Sequence, residues 1–311
     1  MIETESQEKL ASWKAFSLSS GRGVCSPILE LDQWIPWLEE LPDLLRSEEA
    51  REIRIWRLLS TGRRTFQVCG MDGRPLVIKC YPGTSSDISS SPDGLQHSRS
   101  SWDAFRCNQN LWRRNVPVPE PLIFMGTTTE GSESFCYGIT RLIDGCQPLF
   151  EFVFDQLRRH SVSAPRLENW MQTIVESIVH FHRSGYSHGD LHNRNLLVQP
   201  RNVGDNIKVF FIDFDACQPA ADTIPDRSQL RDLADLAASL HRLVPDDLLA
   251  KALAWYLRAM RLAGRRREEC LRIIRQEYPV FLNRNQTLRQ RVEEYHFMLA
   301  EEQIPTPGAM A

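Results

Sequence analysis

Short apolar runs divided by turn dipeptides occupy the first half of the chain. Ile53–Leu59, Thr65–Cys69 and Leu76–Cys80 are rich in β-branched and aromatic residues, and Thr61-Gly62 and Asp72-Gly73 separate them. That texture predicts an antiparallel meander. The Ser-, Asp- and Gly-rich stretch from Gly83 to Ser100 predicts a mobile loop. Apolar residues at 102, 105, 111 and 112 predict a helix over Trp102–Arg114, stopped by the prolines of Asn115-Val-Pro-Val-Pro-Glu-Pro. Leu122–Gly126 and Phe135–Ile143 are two further strands. After Asp144-Gly145 the period changes. Trp170, Ile174, Ile178 and Phe181 form one apolar helix face closed by Gly185. A polar turn (Ser187–Asn195), two strands (Leu196–Val198 and Lys208–Ile212) and helical patterns from Ser228 to Ala300 follow. The order predicts an α+β protein of two lobes: an N-terminal extension over 1–45, a β-rich N-lobe over 46–143, a mainly helical C-lobe over 144–300 and a tail over 301–311. Within the extension, the Trp- and Pro-punctuated stretch Leu31–Leu45 predicts short helices.

Composition narrows the classes. Of 311 residues, 42% are hydrophobic and 25% charged, enough apolar material for a sizeable core and too much for disorder throughout. The formal net charge of −3 gives no reason to expect nucleic acid, so attraction to an anion has to come from a local patch. No repeat of 20–50 residues is visible, which sets aside solenoids and propellers. Nothing approaches a bilayer-spanning apolar run. The eight cysteines form no C-x-x-C pair and read as reduced, mostly buried thiols; with no secretory signal at the start, the expected compartment is the cytoplasm.

The chemistry concentrates in His188-Gly-Asp-Leu-His-Asn-Arg-Asn195 and, after a strand pair, Phe211-Ile-Asp-Phe-Asp215. Kinase-type phosphoryl transfer needs this set: a carboxylate to orient the acceptor hydroxyl and take its proton, and an amide with a second carboxylate to hold Mg²⁺ against the phosphates. Upstream, Val77-Ile-Lys79 places a lysine in a hydrophobic strand, where it can reach the α- and β-phosphates as a point charge. Ser60-Thr-Gly-Arg-Arg-Thr65, with Gly62, Arg63 and Arg64, is either the cover of the phosphates or an exposed basic hairpin. The histidines 180, 182, 188 and 192 are not spaced for zinc, since 180 and 182 fall on different helix faces; His188 instead holds the loop by hydrogen bonds.

These residues resemble the protein-kinase-like superfamily. His-Gly-Asp-Leu-His-x-x-Asn with Ile-Asp-Phe-Asp, Arg63-Arg-Thr-Phe, the lysine strand and the helix ending Asn-Val-Pro-Val-Pro look more narrowly like the lipopolysaccharide kinase family, over roughly residues 53 to 240. The resemblance implies a bilobal protein-kinase-like fold with an ATP cleft between the lobes, and phosphorylation of heptose or Kdo sugars of the lipid A–core molecule. It implies Asp190 as catalytic base, Lys79 as phosphate binder, and Asn195 and Asp213 as magnesium ligands. The hinge near Arg141 to Asp144, with Arg141 and Ile143, is expected to bind adenine through its backbone. Asp215 either assists at the metal or hydrogen-bonds the loop. Asp232 either braces the catalytic loop from behind or is a first-turn helix carboxylate. The chain departs from the family where the helix after the lysine strand should offer a glutamate: Ala104 stands there, with Asp103 beside it.

A basic run, Arg258, Arg261, Arg265-Arg266-Arg267, Arg272 and Arg275, is either a solvated face or a surface for an anionic glycolipid and the inner face of the inner membrane. Trp255, Tyr256 and Tyr278 read as core. The function expected is an ATP- and Mg²⁺-dependent kinase of lipopolysaccharide core sugars, with ATP and a sugar or glycolipid acceptor as partners. A soluble kinase of the aminoglycoside or choline type and a nucleotide-binding pseudokinase scaffold are the alternatives. Oligomeric state is not legible in the sequence.

Overall fold

The structure, a computed structural model, describes residues 13–19, 21–46, 54–58, 64–83, 88–90, 96–127, 134–159, 162–201, 206–221, 225–241 and 243–284. It divides into two units, Met1–Asp144 with Asp213–Ala216, and Gly145–Ile212 with Cys217–Ala311.

Alternation builds the first unit. Its strands are β1 (Lys14–Ser17), β2 (Gly21–Cys25), β3 (Arg54–Leu58), β4 (Arg64–Cys69), β5 (Pro75–Gly83), β6 (Ile88–Ser90), β7 (Gln96–Ser98), β8 (Pro121–Thr127) and β9 (Ser134–Arg141). Seven of them form one antiparallel sheet in the order β1-β2-β8-β9-β5-β4-β3. Along β5, Leu76, Ile78 and Cys80 point into one cluster and Tyr81 into another on the opposite face. Helix α1 (Leu31–Arg46) closes the first cluster with Trp34, Leu38, Leu41 and Leu45. Helix α2 (Arg99–Arg113) closes the second with Phe105 against Val24, Tyr81, Phe124 and Cys136. Each fully buried Leu or Phe here stabilises the unit by about 1.5–3 kcal/mol.

Two expectations change. Residues 14–46, read as an extension with short helices, supply two sheet strands and one continuous helix that contains Pro36 and Pro42. Glycine hides the strand: at Gly23 a Cβ would stand 2.3 Å from the Phe16 ring and 2.7 Å from the Phe124 carbonyl, so this strand needs glycine and loses the β-branched texture that marks the others. The loop expected over Gly83–Ser100 contains the antiparallel pair β6–β7, whose polar residues carry no hydrophobic alternation to reveal it.

The second unit holds β10 (Gln147–Pro148), α3 (Leu149–Arg159), α4 (Ala164–Arg183), β11 (Tyr186–Ser187), β12 (Leu196–Pro200), β13 (Ile207–Phe211), β14 (Gln218–Pro219), α5 (Arg227–Leu240), α6 (Asp246–Ala259) and α7 (Gly264–Arg284). Trp170, Ile174, Ile178 and Phe181 are buried on one face of α4, as their spacing predicts. Phe181 packs against Phe211 in a tilted contact with ring centroids 4.6 Å apart, fixing α4 against the β12–β13 hairpin. A capping box starts α5: the Asp226 carboxylate accepts from Gln229 N at 2.9 Å, and the Gln229 side chain accepts from Asp226 N at 3.3 Å. Glu277 of α7, 5% exposed, accepts from Arg227 (2.8 Å) and Arg231 (3.3 Å) of α5. Those two guanidinium groups hold its carboxyl below the ordinary range.

Cys25, Cys69, Cys80, Cys136, Cys146 and Cys270 are free thiols. Cys107 and Cys217 are disulfide-bonded, so the expectation of eight reduced cysteines does not hold, and no short Cys spacing in the sequence signals it.

Candidate active site

The polar turn after β11 owes its shape to one buried carboxylate. Asp232 is 0% exposed and lies in the second turn of α5, since the Asp226 cap starts the helix earlier than the hydrophobic pattern indicates. It accepts hydrogen bonds from the backbone N–H of His188 (2.7 Å) and Gly189 (2.8 Å) and faces His182 Nε2 at 3.2 Å. A carboxylate can only accept, so His182 carries its proton on Nε2 and its Nδ1 takes the Tyr256 hydroxyl at 2.8 Å. Gly189 has φ +80°, which a side chain would strain, so the turn itself favours glycine at the second position of the motif. His188 Nε2 donates to the Ile212 carbonyl at 3.0 Å, tying the turn to the end of β13. Asn193 donates through N to Ser239 Oγ (3.0 Å) and through Nδ2 to Ser239 O (2.6 Å), a second anchor on α5.

On this braced turn Asp190 is exposed and Asn195 is buried. Asn195 Nδ2 donates to the Asp190 carbonyl (2.9 Å) and carboxylate (3.3 Å), leaving Oδ1 as the end of the amide that can take a cation. The Asn195 carbonyl accepts from Ile212 N at 3.0 Å. His192 accepts from Arg194 N on Nδ1 (3.2 Å), which puts the proton of the neutral ring on Nε2, 3.6 Å from the Asp190 carboxylate. The structure therefore brings Asp190 and Asn195 together on a rigid support.

Asp235, one turn beyond Asp232, is 8% exposed. Burial, then the charge of Asp232, push its carboxyl up to about 7, against the opposite pull of Arg231. A carboxyl that binds its proton more tightly in the folded chain than its ordinary 3.8 costs stability as pH rises from about 4 through 7. Asp235→Asn keeps the neutral form at every pH. Its melting temperature should exceed wild type by a few degrees at pH 8, with the advantage gone at pH 4; equal melting at pH 8 would contradict this.

In the first unit Lys79, on β5, donates to Asp213 Oδ1 at 2.6 Å and lies 3.5 Å from Asp215 Oδ1. Tyr81, two residues on and on the same strand face, donates to the same Asp215 oxygen at 2.9 Å. Burial works against the lysine's charge, but the Tyr81 oxygen and the two carboxylates outweigh it and hold the ammonium above its ordinary range. Asp213 has φ +70°, a conformation that costs a non-glycine residue energy and is found where the surroundings over-determine it. On α2, Asp103 is exposed and Ala104 is 5% exposed; neither pairs with Lys79.

Arg141 ends β9. Its N–H goes to Glu120 O (2.9 Å) and its guanidinium takes both Asp72 oxygens, one at 2.9 Å, closing the turn at Asp72-Gly73. Burial of Asp72 is outweighed by that guanidinium, which keeps its carboxyl below the ordinary range. Ile143 is half-buried. Gly62 and Arg63 lie outside the described residues; Arg64 begins β4, and its side chain also lies outside them.

Tyr256 is core at 1% exposure, whereas Trp255 and Tyr278 are half-buried. Arg258, Arg261, Arg265, Arg266, Arg267, Arg272 and Arg275 are all exposed. Among the described residues no helix is long and apolar enough to cross a membrane.

Sequence reading missed Tyr81, His182, Gln229, Asn193 and Ser239. His182, in the segment crowded with histidines, and Asn193, inside the His188–Asn195 motif, offered signals. Gln229 Nε2 spans the carbonyls of His182 (2.9 Å) and Tyr186 (2.8 Å), which no local pattern announces.

A sequence model of the lipopolysaccharide kinase (Kdo/WaaP) family matches residues 97–256. Among solved structures the chain is similar to WaaP in complex with acyl carrier protein, with a TM-score of 0.51 and 20% identity over 78% of this chain and 88% of that one. At that identity the likeness speaks for the fold, which is kinase-like. No curated protein matches the chain.

Proposed function

Because the chain belongs to the lipopolysaccharide kinase (Kdo/WaaP) family, and is thereby a phosphotransferase of the lipopolysaccharide core that uses ATP, we propose that it moves the γ-phosphate to a heptose or Kdo hydroxyl with Mg²⁺ as cofactor. The observation that carries this reading is the braced turn, where Asn195 holds Asp190 by two hydrogen bonds over the buried Asp232. Asp190 orients the acceptor hydroxyl and takes its proton as that oxygen bonds to the γ-phosphorus and the bond to the bridging oxygen of ADP breaks. Asn195 Oδ1 and Asp213 are hard oxygen donors of the kind magnesium prefers, and would hold the ion. When bound, Mg²⁺ neutralises the charge that develops on the phosphates. Lys79 supplies a second positive charge to them, and the hinge near Arg141 to Asp144 would bind adenine through backbone groups other than the Arg141 N–H, which Glu120 O accepts.

The exposed arginines of α6 and α7, and Arg261 between them, suit the phosphates and carboxylates of lipid A–core and an anionic membrane surface, and so favour action at the inner face of the inner membrane. A cationic aminoglycoside or choline would instead want an acidic surface. The test is transfer of labelled γ-phosphate to purified lipopolysaccharide, with aminoglycosides and choline as control acceptors, alongside mass spectrometry of lipid A–core from cells with and without the gene. Loss of one phosphate in the deletion is expected. Unchanged lipid A–core with transfer to a control acceptor would replace this reading by the small-molecule kinase, and no transfer to any acceptor would replace it by the scaffold.

A further inference from the structure

We infer that Asp215, fixed by Tyr81, takes the place of the missing helix glutamate as the residue that positions Lys79; the inference rests on the kinase reading above. Helix α2 offers no carboxylate to this lysine: alanine stands at 104, and Lys79 pairs with Asp213 and Asp215, not with the exposed Asp103. The helix reaches the lysine by another route. Strand alternation puts Lys79 and Tyr81 on one face of β5, and the Tyr81 ring packs in the cluster that Phe105 of α2 completes. Gly138, paired with Lys79 across β9, lies where both rings meet: a Cβ there would stand 3.9 Å from Phe105 and 3.9 Å from Tyr81. From that packed position the Tyr81 hydroxyl donates to Asp215 Oδ1 at 2.9 Å, and the same oxygen lies 3.5 Å from Lys79 Nζ.

The nearer partner, Asp213 at 2.6 Å, is also the proposed magnesium ligand. With magnesium bound there, its oxygens would be shared with the cation, and a second anion would keep Lys79 aimed at the phosphates. Asp215 is held in place by Tyr81 independently of the lysine. Tyr81 and Asp215 are thus positioning residues that act through Lys79, and Asp215 is not a second metal ligand.

The test compares Tyr81→Phe, Asp215→Asn, their double variant and Asp213→Asn in the full chain. Turnover with ATP is measured together with binding of a fluorescent ATP analogue across a magnesium titration. Tyr81→Phe removes one hydroxyl from a packed ring and should fold with near-native melting. It should lower kcat about 10-fold and Asp215→Asn about 100-fold, the size of a misplacement effect, with the double variant no worse than Asp215→Asn alone. Both single variants should weaken Mg·ATP analogue binding by about threefold, without adding, because they remove one shared link. The magnesium concentration for half-maximal binding should stay within about twofold of wild type in both and rise at least about tenfold in Asp213→Asn.

A rise in Asp215→Asn matching that in Asp213→Asn would overturn the inference in favour of metal ligation. Independent, multiplying effects of Tyr81→Phe and Asp215→Asn would overturn it as well, as would wild-type turnover and binding in Asp215→Asn. If the wild-type protein transfers no phosphate to lipopolysaccharide, the acceptor reading fails on its own, while the magnesium titration and the binding cycle still decide the role of Asp215.

Discussion

Asp190→Asn should lower phosphoryl transfer by about 10²–10⁴-fold while leaving affinity for the ATP analogue within about twofold of wild type. The amide keeps the shape of the side chain and can still accept from Asn195 Nδ2, so the turn should survive. What it cannot do is take the proton of the attacking hydroxyl. Asp190 is exposed and does not carry the structure of the loop, so the loss should fall on kcat and not on melting temperature. Rates of labelled phosphate transfer and analogue titrations check both halves. Wild-type turnover in this variant would remove Asp190 from the role of base.

Asp232→Asn should be the most damaging change to stability among the residues that brace the loop. The carboxylate is fully buried and accepts from two backbone N–H groups and from His182 Nε2. An amide presents N–H₂ to at least one of these donors, leaving buried donors unmatched. The cost expected for breaking a buried hydrogen-bonded charge network is about 3–5 kcal/mol, or roughly 10 °C in melting temperature for a chain of this size. Turnover should fall with it, because Gly189 and the adjacent Asp190 lose their support. Thermal unfolding and turnover measured below the melting transition separate the two effects. A melting temperature within about 2 °C of wild type would mean that the turn is held elsewhere.

The second unit was legible in the sequence because its signals are local. Trp170, Ile174, Ile178 and Phe181 share one helix, and Asp190 and Asn195 share one turn, so spacing alone sets their geometry. Asp232 was legible as a residue but not as a depth: the Asp226 cap, not the hydrophobic pattern, decides that it lies in the second turn of α5. The Tyr81–Asp215 link joins residues 134 apart along the chain. Nothing in a tyrosine on an apolar strand distinguishes one whose hydroxyl is used from one whose ring is merely buried. Strands β1 and β2 were hidden for a different reason. Glycine at 21 and 23 lets the backbones approach, and it erases the residue types by which strands are recognised.

Helix α1 sets a lower bound on how small a working piece of this polypeptide can be. The stretch that matches the family, 97–256, begins after Lys79 and omits α1 entirely. A fragment trimmed to it would keep Asp190, Asn195 and Asp213 but discard the lysine and the whole of the interior strand β5. Trimming less severely, to residue 46, would restore the lysine yet strip Trp34, Leu38 and Leu41 from the sheet, baring Leu76, Ile78 and Ile123 to water. The amino-terminal segment is therefore a structural wall of the catalytic protein, and its removal would favour aggregation over a compact minimal kinase.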